Sequence, residues 1–134
     1  MASKKDREII FNKYGGKCAY CGDDLKKGWH VDELLPVRRN YFYDSVKKKT
    51  VLDKENPYYH PERMNIDNQM PSCPSCNINK HSGTIEEFRN LIQGFKKHLN
   101  EINTQYKISK RYGLVVEVEK PVVFYFEEVK LINK

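Results

Sequence analysis

The sequence has no apolar run of the roughly 18 residues that a membrane-spanning helix requires. Its opening stretch, Met1-Ala2-Ser3-Lys4-Lys5-Asp6-Arg7-Glu8, has no apolar segment of the kind a secretory leader carries. These two absences point to a reducing cytoplasm. Hydrophobic residues make up only 39% of 134, so the core is modest and gains from a staple. Internal repeats, low-complexity tracts and a clear linker are all missing. The expectation is one domain over 1–134, with a core over 8–90 and a C-terminal extension over 91–134. Acidic residues are the scarcer charge, 18 against 24 basic, for a net charge of +6 and a pI near 9.1. That balance favours a polyanionic partner, usually nucleic acid.

Cysteine is present, and its arrangement is the strongest signal. Cys18 and Cys21 form one Cys-x-x-Cys pair, Cys73 and Cys76 another, and none is left over. In a reducing compartment two close pairs read as metal ligands rather than disulfides. A redox Cys-x-x-Cys needs a single motif in a βαβ context, which is absent. Tetrahedral zinc takes four thiolates, so a structural Zn2+ on all four cysteines is expected. The long segment between the pairs must then fold in its own right.

Around these pairs the chain reads as α+β. Ser3 and Asp6 have the spacing of a capping box, opening a helix that Gly15-Gly16 ends. Trp29 to Asp32 reads as a strand that stops before Pro36. Residues 44–66 read as a mostly irregular insertion. A short helix over Ser75 to Lys80 follows Pro74. Thr84 and Glu87 cap a long helix, in which Phe88, Leu91, Ile92, Phe95 and Leu99 recur at helical spacing to about residue 102. A further helical piece covers about 104–112. In the tail, Val116 and Val118 alternate with Glu117 and Glu119, and Val122, Phe124 and Phe126 alternate with Val123 and Tyr125. Period two predicts two strands there.

Asp32 at the strand end and Asn77 after the second pair offer a carboxylate and an amide oxygen. Those donors suit a hard cation, Mg2+ or Mn2+, rather than zinc. His30, two residues before Asp32, shares its strand face. His81, one turn past Asn77, is placed to share its helix face. Arg38 and Arg39 follow the strand and are placed to meet phosphates. Lys47-Lys48-Lys49 and Tyr41, Phe42 and Tyr43 are weaker candidates, a solvated face and core packing being their ordinary roles.

Cys-x-x-Cys, then a strand with Asp-x-apolar-apolar-Pro, then Asp67-Asn68-x-x-Pro71-x-Cys73-x-x-Cys76-Asn77-x-x-Lys80, resembles the HNH endonuclease family, in particular small phage and prophage members. The likeness covers about residues 8–90. It implies a ββα-metal (His-Me finger) core on a zinc-knuckle base, with an N-terminal helix and a C-terminal helix plus β-strand extension. It implies a metal-dependent DNA endonuclease, cytoplasmic in a bacterial host or phage-encoded. By the same likeness Asp32 and Asn77 hold the catalytic ion, Asn68 braces the loop that carries the base, and Lys80 is a basic, nucleic-acid-facing position.

The departure is Glu33, where the family carries its general-base histidine. Three readings stand. Glu33 is itself the base. Glu33 is an extra metal ligand, and His30, His60 or His81 supplies the base. Or catalysis is lost, and the chain is an inactive zinc module that binds nucleic acid or a protein.

Overall fold

A computed structural model describes residues 2–132, with the side chains of 130–132 excepted. Its elements are α1 (Lys4–Asn12), β1 (His30–Glu33), β2 (Tyr41–Asp44), β3 (Lys49–Leu52), β4 (Gln69–Ser72), α2 (Pro74–Lys80), α3 (Ile85–Ile102), α4 (Thr104–Arg111) and α5 (Tyr125–Ile132). Two short 3-10 turns, Pro61–Arg63 and Ile66–Asn68, lead into β4. No helix among the described residues is long and apolar enough to cross a membrane.

The helix starts follow their caps. Ser3 Oγ accepts from the Asp6 N–H at 3.1 Å, and Thr84 Oγ1 accepts from the Glu87 N–H at 3.1 Å. Gly15 and Gly16, at φ +62° and +81°, end the first turn of chain after α1. Arg7 ties α1 to the segment before β1. It donates to the Trp29 carbonyl at 3.1 Å and lies 4.1 Å from the Trp29 ring centre.

β1 and β4 form one antiparallel pair, with His30 opposite Ser72 and Asp32 opposite Met70. Pro71 fits within β4 because its carbonyl points away from β1, accepting from the Ala19 N–H at 2.8 Å. The N–H it lacks would have faced the same side. The first cysteine knuckle is thereby hung on β4. Gly22 closes that knuckle at φ +80°, and a Cβ there would lie 3.0 Å from the Tyr125 ring. Only glycine satisfies both constraints.

The core is small and aromatic. Tyr20 meets Phe88, Phe124 and Phe126 edge-on, with ring centres 5.8, 5.9 and 6.2 Å apart. Phe124 stacks on Phe88 at 5.4 Å. Such edge and offset contacts add about 0.5–1.5 kcal/mol each beyond burial.

Two expectations need correcting. An antiparallel hairpin, β2 against β3, runs through residues 41–52 and so into the segment 44–66 expected to be irregular. Its connection carries no Asn-Gly signal, and Lys48 supplies the left-handed residue at φ +54°. The tail strands do not form. Residues 115–124 belong to no strand or helix, and α5 begins at Tyr125. Side chains hold that segment to α3 and α4 instead. Glu117 accepts from Asn100 at 2.7 Å and Tyr106 at 2.6 Å and pairs with Lys110 at 3.1 Å. The alternation of Phe124 and Phe126 serves burial against Tyr20 rather than sheet pairing. The result is a mixed α+β chain with two small antiparallel sheets.

Candidate metal centre and flanking polar site

The four cysteines converge. All four Sγ atoms lie within 4.8 Å of one another, and Cys21 and Cys73 are 3.8 Å apart. A tetrahedron with Zn–S bonds of about 2.3 Å has an S–S edge of about 3.8 Å. A disulfide would need about 2.05 Å, and the cysteines are free. The donor set and spacing therefore fit a metal ion such as zinc. Cys18 is buried, Cys73 and Cys76 half-buried and Cys21 exposed. The Cys76 thiol hydrogen-bonds Cys18 and holds it down to about 4, while the same bond pushes Cys76 up. Burial raises Cys21 to about 11. One proton-sharing set of thiols is what an incoming cation would have to deprotonate.

The second knuckle starts α2. Cys73 Sγ accepts from the Cys76 N–H at 3.4 Å, an N-cap made by a thiol. α2 then lies against β1, and this contact joins the remaining candidates. Asn77 Nδ2 is 3.2 Å from His30 Nδ1. His30 precedes Asp32 by two residues, so both project from one strand face. Asp32 is buried, 6% exposed. Its Oδ2 accepts from the Tyr20 hydroxyl at 2.5 Å and pairs with Lys80 Nζ at 3.0 Å. Lys80, itself only 3% exposed, also donates to the Glu33 carbonyl at 2.9 Å. Burial, then the Asp32 charge, raise the Tyr20 pKa, so its hydroxyl stays a donor.

Lys80 thus corrects its expected role. It cannot meet nucleic acid, because it is spent inside the protein on Asp32. His81 is also displaced from its expected face. It caps α2 with φ +53° and ψ −136°, so the helix does not continue through it. It is exposed.

Glu33 is half-buried and, by strand alternation, faces away from Asp32. Burial first, then the neighbouring Asp32 charge, raise its carboxyl pKa above the usual range. Asn68 spans two loops. Its Oδ1 accepts from the Leu35 N–H at 2.8 Å, and its Nδ2 donates to the Leu35 and Arg63 carbonyls, both at 2.9 Å. It locks the chain leaving β1 onto the turn before β4.

Arg38 and Arg39 are exposed. Arg38 Nε donates to the Ser82 carbonyl at 3.1 Å, and Arg39 reaches the Tyr41 hydroxyl at 3.4 Å. His60 pairs with Glu62 at 3.1 Å, in the turn preceding Asn68. Sequence reasoning missed the part played by Tyr20 and Lys80. Only the fold brings residue 20 to 32 and residue 80 to 32, and no local spacing signals it.

Compared with protein families, with curated proteins and with solved structures, the chain matches none.

Proposed function

We propose that the chain is a metal-dependent DNA endonuclease of the HNH type, with β1, β4 and α2 as a ββα-metal core. The observation that carries the reading is the Asn77–His30 contact at 3.2 Å, which sets the amide of α2 beside the strand face that bears Asp32. Asp32 and Asn77 are the residues to hold Mg2+ or Mn2+. Asp32 Oδ2 is committed to Tyr20 and Lys80, which leaves Oδ1 for the ion. When bound, such an ion stabilises charge developing on a phosphodiester and its leaving oxygen.

The protein's own groups do the rest. With Asn77 Nδ2 donating to His30 Nδ1, the Asn77 Oδ1 is turned away from the ring, free to ligate. His30 in that tautomer carries its proton on Nε2, so it orients Asn77 rather than accepting a proton. Glu33, which faces away from Asp32 on β1, does not reach a water at that ion, so the reaction of this reading is attenuated for want of a positioned base. A water attacks phosphorus, its proton passes to solvent, and the P–O bond breaks with the alkoxide protonated by solvent. Arg38 and Arg39 meet the flanking phosphates.

Nicking of supercoiled plasmid in Mn2+ tests this. Wild type should nick, and Asn77→Ala, at a half-buried position, should lose at least tenfold. Equal nicking by wild type and Asn77→Ala sinks the proposed site.

A second reading rests on the Lys80–Asp32 pair. An ammonium 3.0 Å from the carboxylate already supplies the positive charge a metal would bring. On this reading the chain is an inactive zinc module that binds nucleic acid or protein. Calorimetric titration with Mn2+ separates the two. Saturable heat that Asn77→Ala abolishes favours the nuclease, and no heat favours the module.

A further inference from the structure

The β2–β3 hairpin has no assigned role, and it is built unlike a packing element. Three successive aromatics lie on it, and all are exposed: Tyr41 49%, Phe42 48% and Tyr43 66%. Small folds seldom leave that much ring surface uncovered without use. By alternation Tyr41 and Tyr43 share one face, about 6.7 Å apart along the strand, with Leu52 and Thr50 opposite them. At the tip stand Lys47, Lys48 and Lys49, all exposed. The one acid of the hairpin, Asp44, is occupied. Its Oδ1 accepts from the Val46 and Lys47 N–H groups at 2.9 and 3.1 Å and shapes the turn. Arg39 adds a cation beside Tyr41 at the base. Asp44 and its partner Lys49 lie on the other face, so the ring face takes its cations from the turn lysines Lys47 and Lys48 and from Arg39, and carries no acid of the hairpin.

We propose that this hairpin is a single-stranded DNA arm. Unpaired bases stack on Tyr41 and Tyr43, and the turn lysines Lys47 and Lys48, with Arg39 at the base, neutralise the adjacent phosphates. Phosphate neutralisation alone would serve duplex DNA as well. The exposed rings favour an unpaired strand, because a duplex hides the faces of its bases from them. The inference rests on the proposed function only for the premise that DNA is the partner. It makes a strand with an unpaired region the preferred substrate.

Fluorescence anisotropy of a labelled 20-nucleotide oligothymidylate and of a 20-base-pair duplex tests it, on zinc-loaded protein without added Mg2+ or Mn2+. Wild type should bind the single strand more tightly. Tyr41→Ala/Tyr43→Ala should weaken that binding about tenfold or more, a magnitude set by base–aromatic stacking, and leave duplex binding within twofold. Tyr41→Phe/Tyr43→Phe should restore it, since the ring is what counts. Lys47→Gln/Lys48→Gln should flatten the log–log salt dependence by about 1.4. The proposal is overturned if the alanine pair binds the oligothymidylate like wild type, or if wild type prefers the duplex or binds neither. Plasmid nicking fails or succeeds independently. No nicking by wild type refutes the endonuclease reading and leaves the anisotropy result to decide the arm.

Discussion

Asp32 and Lys80 are buried together, with side chains 7% and 1% exposed. Two ions taken out of water repay their desolvation only through each other and through added hydrogen bonds, here from Tyr20 and to the Glu33 carbonyl. Lys80→Met should therefore cost about 3–5 kcal/mol in urea unfolding, because it strands a buried carboxylate. Adding Asp32→Asn to Lys80→Met should recover part of that loss. A double variant no more stable than the single would mean that the pair is not what holds α2 on β1. Glu33 behaves oppositely to a paired acid. Its folded pKa lies above the unfolded value, so its contribution to stability is greatest at acid pH and falls away as pH rises through the folded value. Glu33→Gln should raise the melting temperature at pH 7 and leave it nearly unchanged at pH 4. A larger effect at pH 4 than at pH 7 would contradict this assignment. Much of this scale was readable in the sequence, since Cys18, Cys21, Cys73 and Cys76 carry their spacing with them. The environment of Asp32 was not, because Tyr20 and Lys80 reach it only through the folded chain.

At the scale of elements, local signals were the readable ones. Ser3 and Thr84 cap helices as their spacing with Asp6 and Glu87 implies. The β2–β3 hairpin was hidden, because its polar, lysine-rich connection resembles loop and its strands bury little. The tail misled for another reason. Period two marks any extended segment with one covered side, whether the cover is a sheet partner or a helix. Here Glu117 is the anchor on the covered side. Hydrogen bonds from Tyr106 and Asn100, then Lys110, hold its carboxyl down to about 2. Its stabilising contribution is thus present above the ordinary carboxyl range and lost as pH falls from about 4.5 towards 2. Glu117→Gln should lower the melting temperature at pH 7, and the gap to wild type should close across that acid window. A gap that stays constant down to pH 2 would show the anchor to be unimportant. Phe124→Ala, which empties the middle of the ring stack, should cost about 3–5 kcal/mol.

For the molecule as a whole, a metal ion held by the four cysteines would outweigh the core. Structural zinc in small domains is worth about 10–16 kcal/mol near neutral pH, as much as or more than the roughly 5–15 kcal/mol net stability of a whole domain. A chelator should therefore abolish cooperative melting, and zinc should restore it. Persistent two-state melting in excess chelator would show that the ring cluster suffices alone. The reason for the coupling is visible in the backbone. The Ala19 N–H reaches Pro71, while the Tyr20 and Ala19 carbonyls accept from the Tyr125 and Phe126 N–H groups at 3.0 and 2.8 Å. Loosening the first knuckle frees β4 and the start of α5 together.

Trp29 gives the docking of α1 an optical reading. It is the sole tryptophan, held between the Arg7 guanidinium at 4.1 Å and the Phe11 ring at 5.6 Å. It sits in the short run of chain between the first knuckle and β1. Undocking α1 there would expose the indole and shift its emission to the red. The protein thus carries an intrinsic fluorophore that reports the docking of α1 without any label.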